Sequence, residues 1–253
     1  MNTGFSLIAS CYDRFNSVGY EKYLAFFKQA LEKFSDIAVK EVLDLGCGTG
    51  ELTKLLCESG YDVAALDGSE EMLALASEKC RGTDTLFSCQ DMRSFELYGT
   101  VQATLCSFDC INYLLTEKEA AQCFSLVNNY TEKGGIFVFD INTPYRYENV
   151  FGDNAYVYED SGDMLVWQNC YNAKRGLCDF YLSRFTKNED GSYVRGDDFQ
   201  RQRRFYPNRI KRLLEQSGFE LCGIYGDTEF GELKPESEKA YFAAKSVSGR
   251  AQG

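Results

Sequence analysis

Histidine is absent from all 253 residues. That removes Ser-His-Asp and Cys-His nucleophile systems, His-ligated zinc hydrolase sites and dehydrogenases with a His base. Whatever chemistry the chain performs proceeds without an imidazole, and no metal site is expected. There is no Cys-x-x-Cys among the eleven cysteines; the nearest pair is Cys106 and Cys110. An odd count at irregular spacing argues against a disulfide framework. Cys57, Cys89, Cys106 and Cys222 sit in apolar runs, where a free thiol acts as a small core residue. Reduced thiols and a cytoplasmic location are therefore expected. No run nears the ~18–20 consecutive apolar residues that cross a bilayer, and Met1 to Phe5 lacks the basic-then-apolar pattern of a signal peptide. Positive charge is in deficit: 27 Lys and Arg against 38 Asp and Glu leave a net charge of −11. That balance opposes nucleic acid or an anionic membrane as partner.

What is present points to an α/β chain. Tyr20, Tyr23, Leu24, Phe27, Leu31 and Phe34 recur at helical spacing, giving an amphipathic helix over 19–34. Strand and helix signals then alternate. Strands are expected at 41–45, 61–67, 85–90, 104–108 and 136–141. A helix over 51–59 is closed by Gly60, and another opens at Ser69, an N-cap followed by Glu70 and Glu71. Thr116 to Glu119 is a capping box for the next helix, which Gly134-Gly135 is expected to end. Five such alternations predict a mostly parallel sheet with helices on both faces.

The pattern changes after Pro144. Residues 145–206 show no clear helix and read as four antiparallel strands at 155–159, 164–171, 177–187 and 193–205. This insertion carries 14 aromatic residues in 62 positions. The α/β pattern resumes with a helix from Pro207 to Gln216 and strands at 219–225 and 240–245. The expected division is a Rossmann-like domain over 1–144 and 207–246 with an antiparallel β lid over 145–206.

The sharpest signal is Val42-Leu43-Asp44-Leu45-Gly46-Cys47-Gly48-Thr49-Gly50-Glu51, a strand running through a Gly-x-Gly-x-Gly turn into a helix. Glycine permits positive φ and close approach of backbone to a ligand. A dinucleotide fingerprint needs a small residue where Glu51 stands, so a nicotinamide cofactor is disfavoured. Asp67 ends the second strand, where a carboxylate can accept both ribose hydroxyls of a nucleoside. Ser69 is available to cap the helix in its place. Asp91 and Met92 end the third strand at the same edge and could read an adenine; Asp91 alone reads better as a loop cap, a preference that the first two tips reverse.

These residues resemble the class I S-adenosylmethionine-dependent methyltransferases, in particular a small bacterial branch. The shared elements are Tyr12-Asp13, the loop Leu43 to Gly50, Asp67-Gly68-Ser69-Glu70-Glu71-Met72-Leu73, Gln90 to Arg93, Phe108 to Leu114, and Gly134-Gly135 before Phe139 to Asn142. They span nearly the whole chain, insertion included. The resemblance implies S-adenosyl-L-methionine as cofactor and S-adenosyl-L-homocysteine as product. It implies that Gly46, Cys47 and Gly48 border the methionine moiety and that Asp44 steers its ammonium. Asp67 would hold the ribose, Met72 would pack near the nucleoside, and Asp91 with Met92 would read the adenine. Tyr12 would close over the methionine carboxylate, and Phe108 would line the transfer end. Gly68 departs from the leucine, isoleucine or valine common there, which puts one side-chain contact beside the adenine in doubt.

Methyl transfer from a sulfonium is an in-line displacement in which alignment carries most of the acceleration, so it suits a chain without histidine. Asp109 and Tyr113, just past the fourth strand, are the candidates for aiding the acceptor; Asp109 could equally cap the turn that follows. The aromatic insertion would wall the acceptor pocket, or pack the lid and a dimer contact. Arg201, Arg203 and Arg204 could attract an anionic acceptor or form a solvated strand face paired with the surrounding Asp and Glu. A small-molecule methyl acceptor is the leading expectation. A protein or RNA methyltransferase, and a non-catalytic S-adenosylmethionine-binding regulator, are the alternatives.

Overall fold

The computed structural model describes residues 19–248. A helix, α1 (Tyr20–Phe34), precedes the alternating run β1 (Glu41–Leu45), α2 (Glu51–Glu58), β2 (Asp62–Asp67), α3 (Glu70–Lys79), β3 (Leu86–Cys89), β4 (Val101–Cys106), α4 (Glu117–Tyr130) and β5 (Thr131–Asn142). Next come β6 (Ala155–Asp160), β7 (Asp163–Asn172), β8 (Leu177–Lys187) and β9 (Tyr193–Arg203). The chain returns through α5 (Pro207–Gln216), β10 (Phe219–Tyr225) and β11 (Lys239–Ser246).

Seven strands form one sheet in the order β10-β11-β5-β4-β1-β2-β3, parallel except for β11, which is antiparallel to both β5 and β10. The order reverses beside β1, so the tips of β1, β2 and β4 diverge into a crevice, the place where open α/β sheets bind ligands. Alternation along each strand fills two cores. On one face Leu43, Phe137 and Phe139 meet Phe124 of α4 and Ile210 of α5. On the other, Val42, Val63 and Val138 meet Phe26 and Phe27 of α1 and Leu56 of α2. Aromatic pairs such as Phe139 and Phe242, stacked with centroids 4.8 Å apart, add to a burial term of roughly 25 cal/mol per Å² of apolar surface.

The remaining strands, β6 to β9, make a separate antiparallel sheet with regular register. Its inner face is pinned to the main sheet by polar contacts. Asn112 Nδ2 donates to the Arg203 carbonyl at 2.8 Å, and Asn142 Nδ2 and the Tyr147 hydroxyl both donate to Gln202 Oε1 at 3.1 and 2.8 Å.

Three local expectations need correction. Gly134 and Gly135 do not end a helix: α4 stops at Tyr130, where Thr131 Oγ1 turns back to the Val127 carbonyl at 2.8 Å. Both glycines lie inside β5, where its pairing with β4 shifts register between Val101 and Ala103, as glycine in a strand often signals. The insertion does contain a helical segment, a π-helical turn over Arg146–Phe151, closed by the Gly152 amide on the Tyr147 carbonyl at 3.0 Å. Six residues are too few to print a helical stripe. The fourth strand ends at Cys106 rather than Phe108, because Phe108 and Asp109 turn into the left-handed region at φ 56° and 55°.

Candidate functional site

The Gly-x-Gly-x-Gly turn leaves β1 with its glycines at φ 79°, 55° and 81°. A Cβ at Gly50 would lie 2.7 Å from Ala76 Cβ, so this glycine lets α3 pack against the turn. A Cβ at Gly48 would meet nothing within 4 Å. Gly48 therefore bends the backbone along an open cleft instead of serving a packing contact. The cleft has a volume of about 740 Å³, within the ~300–1,000 Å³ common for small-molecule sites. It runs from the strand tips to the lid.

Asp67 ties the first two tips together. Its Oδ2 accepts the Gly48 amide and its Oδ1 the Ser69 amide, each at 2.9 Å. Ser69 Oγ caps α3 by accepting the Met72 amide at 3.2 Å. The Gly68 amide is a further donor to Asp67, which thus shares in shaping the helix entry, while a carboxylate offers about four acceptor positions in all. Burial raises its pKa, an effect the amides partly offset.

Behind this turn lies Asp44, fully buried and not part of the cleft wall. Thr53 on α2 donates to its Oδ2 at 2.6 Å, while its Oδ1 meets no donor. Burial pushes its pKa up to about 7. A buried carboxylate oxygen without a partner is a costly arrangement, and it fits a cation arriving at the turn.

Gly46, Cys47, Gly48, Asp67, Gly68 and Met72 line one end of the cleft, joined by Asp91, Met92 and Phe108. Asp91 is held in a fork by Arg93, whose Nε lies 2.8 Å from Oδ1, and Arg93 keeps the carboxyl below its usual range. Its carboxylate is thus shared with Arg93. Tyr12 lies outside the described residues.

Toward the lid the cleft meets a buried ionic network. Lys239 Nζ stands 2.8 Å from Asp109 Oδ1 and 2.6 Å from Asp140 Oδ2. Asp140 also accepts the Asp109 amide at 3.0 Å and the Tyr23 hydroxyl at 2.8 Å. Gln202 Nε2 donates to Asp109 Oδ2 at 2.7 Å. These contacts hold the left-handed turn at Phe108-Asp109, a conformation that non-glycine residues adopt at a cost. Burial works against the Asp109 charge, but Lys239 and Arg146 outweigh it and keep its pKa below the usual carboxylate range. The Asp109 side chain does not cap the following turn. Tyr113 donates to Gln200 Oε1 at 2.8 Å, and burial, together with the Asp109 charge, raises its phenol well above its ordinary pKa.

Sequence reasoning missed Lys239, Arg146, Gln200 and Gln202. Lys239 begins β11 and pairs with Asn142 at the end of β5; the antiparallel return of that strand brings it to the carboxyl edge. The one available signal was a lysine opening the apolar run Ala240 to Ala244. Of the three lid arginines, Arg201 forks onto Asp179 and lines the cleft, Arg204 pairs with Glu148 at 3.0 Å, and Arg203 reaches the Leu115 carbonyl. Among the described residues all ten cysteines are free thiols, no cluster could hold a metal ion, and no helix is long and apolar enough to cross a membrane.

Comparison with known proteins agrees with this geometry. A family described as a methyltransferase domain matches residues 42–135, the span from β1 into β5. The chain is 30% identical over 240 residues to "Putative methyltransferase YqeM" of Bacillus subtilis (strain 168), covering 94% of this chain and 95% of that one. It is 25% identical over 218 residues to a glycine/sarcosine N-methyltransferase of Parasynechococcus marenigrum, covering 80% of this chain and 72% of the other. A solved S-adenosylmethionine-dependent methyltransferase from Clostridium acetobutylicum superposes with a TM-score of 0.87 at 26% identity, over 96% of this chain and 99% of that structure. With its sheet order, glycine turn and acidic strand tips, the chain belongs to the class I S-adenosylmethionine-dependent methyltransferases.

Proposed function

We propose that the enzyme methylates the nitrogen of a small-molecule amine held between the strand tips and the β lid. The observation that carries this reading is the state of the groups at the transfer end. Asp109 is held charged and weakly basic by Lys239 and Arg146, and the Tyr113 phenol is held neutral. Neither is tuned to remove a proton at neutral pH. Such a site suits a nucleophile that arrives with its own lone pair, as an unprotonated amine does, better than a hydroxyl that must be ionised first.

The cofactor is S-adenosylmethionine, and the residues fit it. Asp44, buried just behind the turn with one oxygen unpartnered, would steer its ammonium, Gly46, Cys47 and Gly48 would border its methionine part, and the Asp67 carboxylate would hold the ribose hydroxyls. Gly68, Met72 and Met92 would pack about the nucleoside, with Asp91 near the adenine and Phe108 at the transfer end; Tyr12 would close over the carboxylate. When bound, the cofactor would supply a methyl group on a sulfonium, with a neutral thioether as the leaving group. Asp109 and Tyr113 orient the acceptor, and the proton left on nitrogen passes to solvent. Residues 145–206 serve as the acceptor-specificity lid on a cofactor domain made by 1–144 and 207–246.

The glycine/sarcosine N-methyltransferase relative supports an amine acceptor. The acidic balance of the chain, −11, counts against RNA, and reduced thiols suit a cytoplasmic enzyme. Radiolabelled methyl transfer onto the fractionated contents of a cell extract tests the reading. Label in small molecules, as N-methyl products, is expected; label confined to RNA, protein or O-methyl products would overturn it.

A further inference from the structure

The polar atoms at the lid end of the cleft do not balance. Three arginines line the cleft: Arg93, Arg146 and Arg201. Arg93 is committed to Asp91 and Glu119, and Arg201 to Asp179. Arg146 differs. Its carboxylate neighbour is Glu238 at 3.7 Å, a residue whose side chain is half exposed, and its Nε is buried with no partner. The guanidinium lies over the Phe151 ring, 4.9 Å from the centroid. That ring leads to Trp167, whose Nε1 is a second buried donor without a partner. Trp167 is fixed by Phe180 at 5.5 Å and also lines the cleft.

Two buried donors without partners, one of them on a cationic group, thus belong to side chains that line the same cleft as Asp109. Asp109 is close enough to Arg146 for that charge to lower its pKa. The two bring opposite charges to one cleft, Asp109 near the strand tips and Arg146 in the π-helical turn that begins the insertion. π-Helical turns recur at functional sites, and here the turn carries the cleft arginine left without a close carboxylate partner. A planar guanidinium matches a carboxylate two bonds at a time.

Resting on the amine reading above, we propose that the acceptor is an amino acid, its carboxylate bound by Arg146 with the Trp167 N–H as second donor and its amine turned toward Asp109. One guanidinium and one neutral N–H match a monoanion. A phosphate dianion would bring excess negative charge next to Asp109.

The test uses the full chain with labelled S-adenosylmethionine and a panel of free amino acids, each matched with its carboxamide and its decarboxylated amine. At least one free acid is expected to accept methyl about tenfold better than either partner, the scale of one charge-assisted hydrogen bond. Arg146→Gln should raise KM for that acid about tenfold or more and abolish the preference for acid over amide. Trp167→Phe, which keeps the ring and removes the N–H, should raise KM by a smaller factor. Calorimetric affinity for S-adenosylmethionine should stay within about twofold in both variants, which reports that they are folded. Equal methylation of acids, amides and decarboxylated amines would overturn the carboxylate subsite while leaving the amine reading intact. Transfer to no amine of the panel would overturn both.

Discussion

At the residue scale, the most consequential contacts are those that leave something over. Asp44 is buried with one oxygen unpaired and a pKa raised to about 7, against an ordinary carboxylate near 3.9. Between about pH 4 and 7 the native chain therefore retains a proton that the unfolded chain has released, so this group's contribution makes stability fall as pH rises through that window. On the proposed reading, a cofactor ammonium beside Asp44 favours the carboxylate and expels the proton. Affinity for S-adenosylmethionine should then increase by about an order of magnitude from pH 6 to pH 7.5. In Asp44→Asn the affinity should be weak and nearly independent of pH over the same range. Calorimetry in buffers of different ionisation enthalpy reads both the affinity and the released proton. For Asp67→Ala we expect a loss of at least about tenfold in cofactor affinity, because the carboxylate that joins Gly48 to Ser69 also offers the positions for the ribose. Unchanged affinity would remove Asp67 from the site.

Among elements, the turn after β4 is the piece most dependent on distant chain. Phe108 and Asp109 adopt left-handed backbone, and the groups that hold them come from α1, β5, β9 and β11 through Tyr23, Asp140, Gln202 and Lys239. Lys239→Met would leave two buried carboxylates facing each other without their shared cation. We expect a destabilisation of about 3–5 kcal/mol by denaturant titration, part of it recovered on adding Asp140→Asn. A loss below about 1 kcal/mol would mean that the ion pairs are solvent-screened. The capping box at Thr116 is a local device by comparison, and Thr116→Ala should cost about 1 kcal/mol.

That contrast explains what could be read from the sequence. The glycine turn, the Asp67 tip, the Ser69 cap and the Thr116 box are contiguous patterns whose physics is local. The Lys239 network, the Arg146 turn and the two lid glutamines depend on strands up to 130 positions apart meeting, and no local periodicity records that. Gly134-Gly135 misled for a related reason: a glycine pair can end a helix or break strand register, and only the β4 partner decides between them.

Over the whole molecule, on the proposed reading, the diverging strand tips of the mostly parallel sheet are a nucleoside cradle, and the antiparallel sheet, whose aromatic residues line the same cleft, is its cover. Because the cofactor binds the folded chain alone, saturating S-adenosylmethionine at about one hundred times its Kd should add about 2.7 kcal/mol of stability, whereas NAD should add none; thermal melts with each ligand distinguish the two. The central claim is that the strand tips and the lid make one continuous site, adenosine at one end and acceptor at the other. A crystal structure with S-adenosylhomocysteine measures this most directly. The account predicts ribose hydroxyls within hydrogen-bonding distance of Asp67, the ammonium near Asp44, and the sulfur opening toward Asp109, Tyr113 and Arg146. A nucleoside bound elsewhere, or a sulfur facing away from the lid, would contradict it.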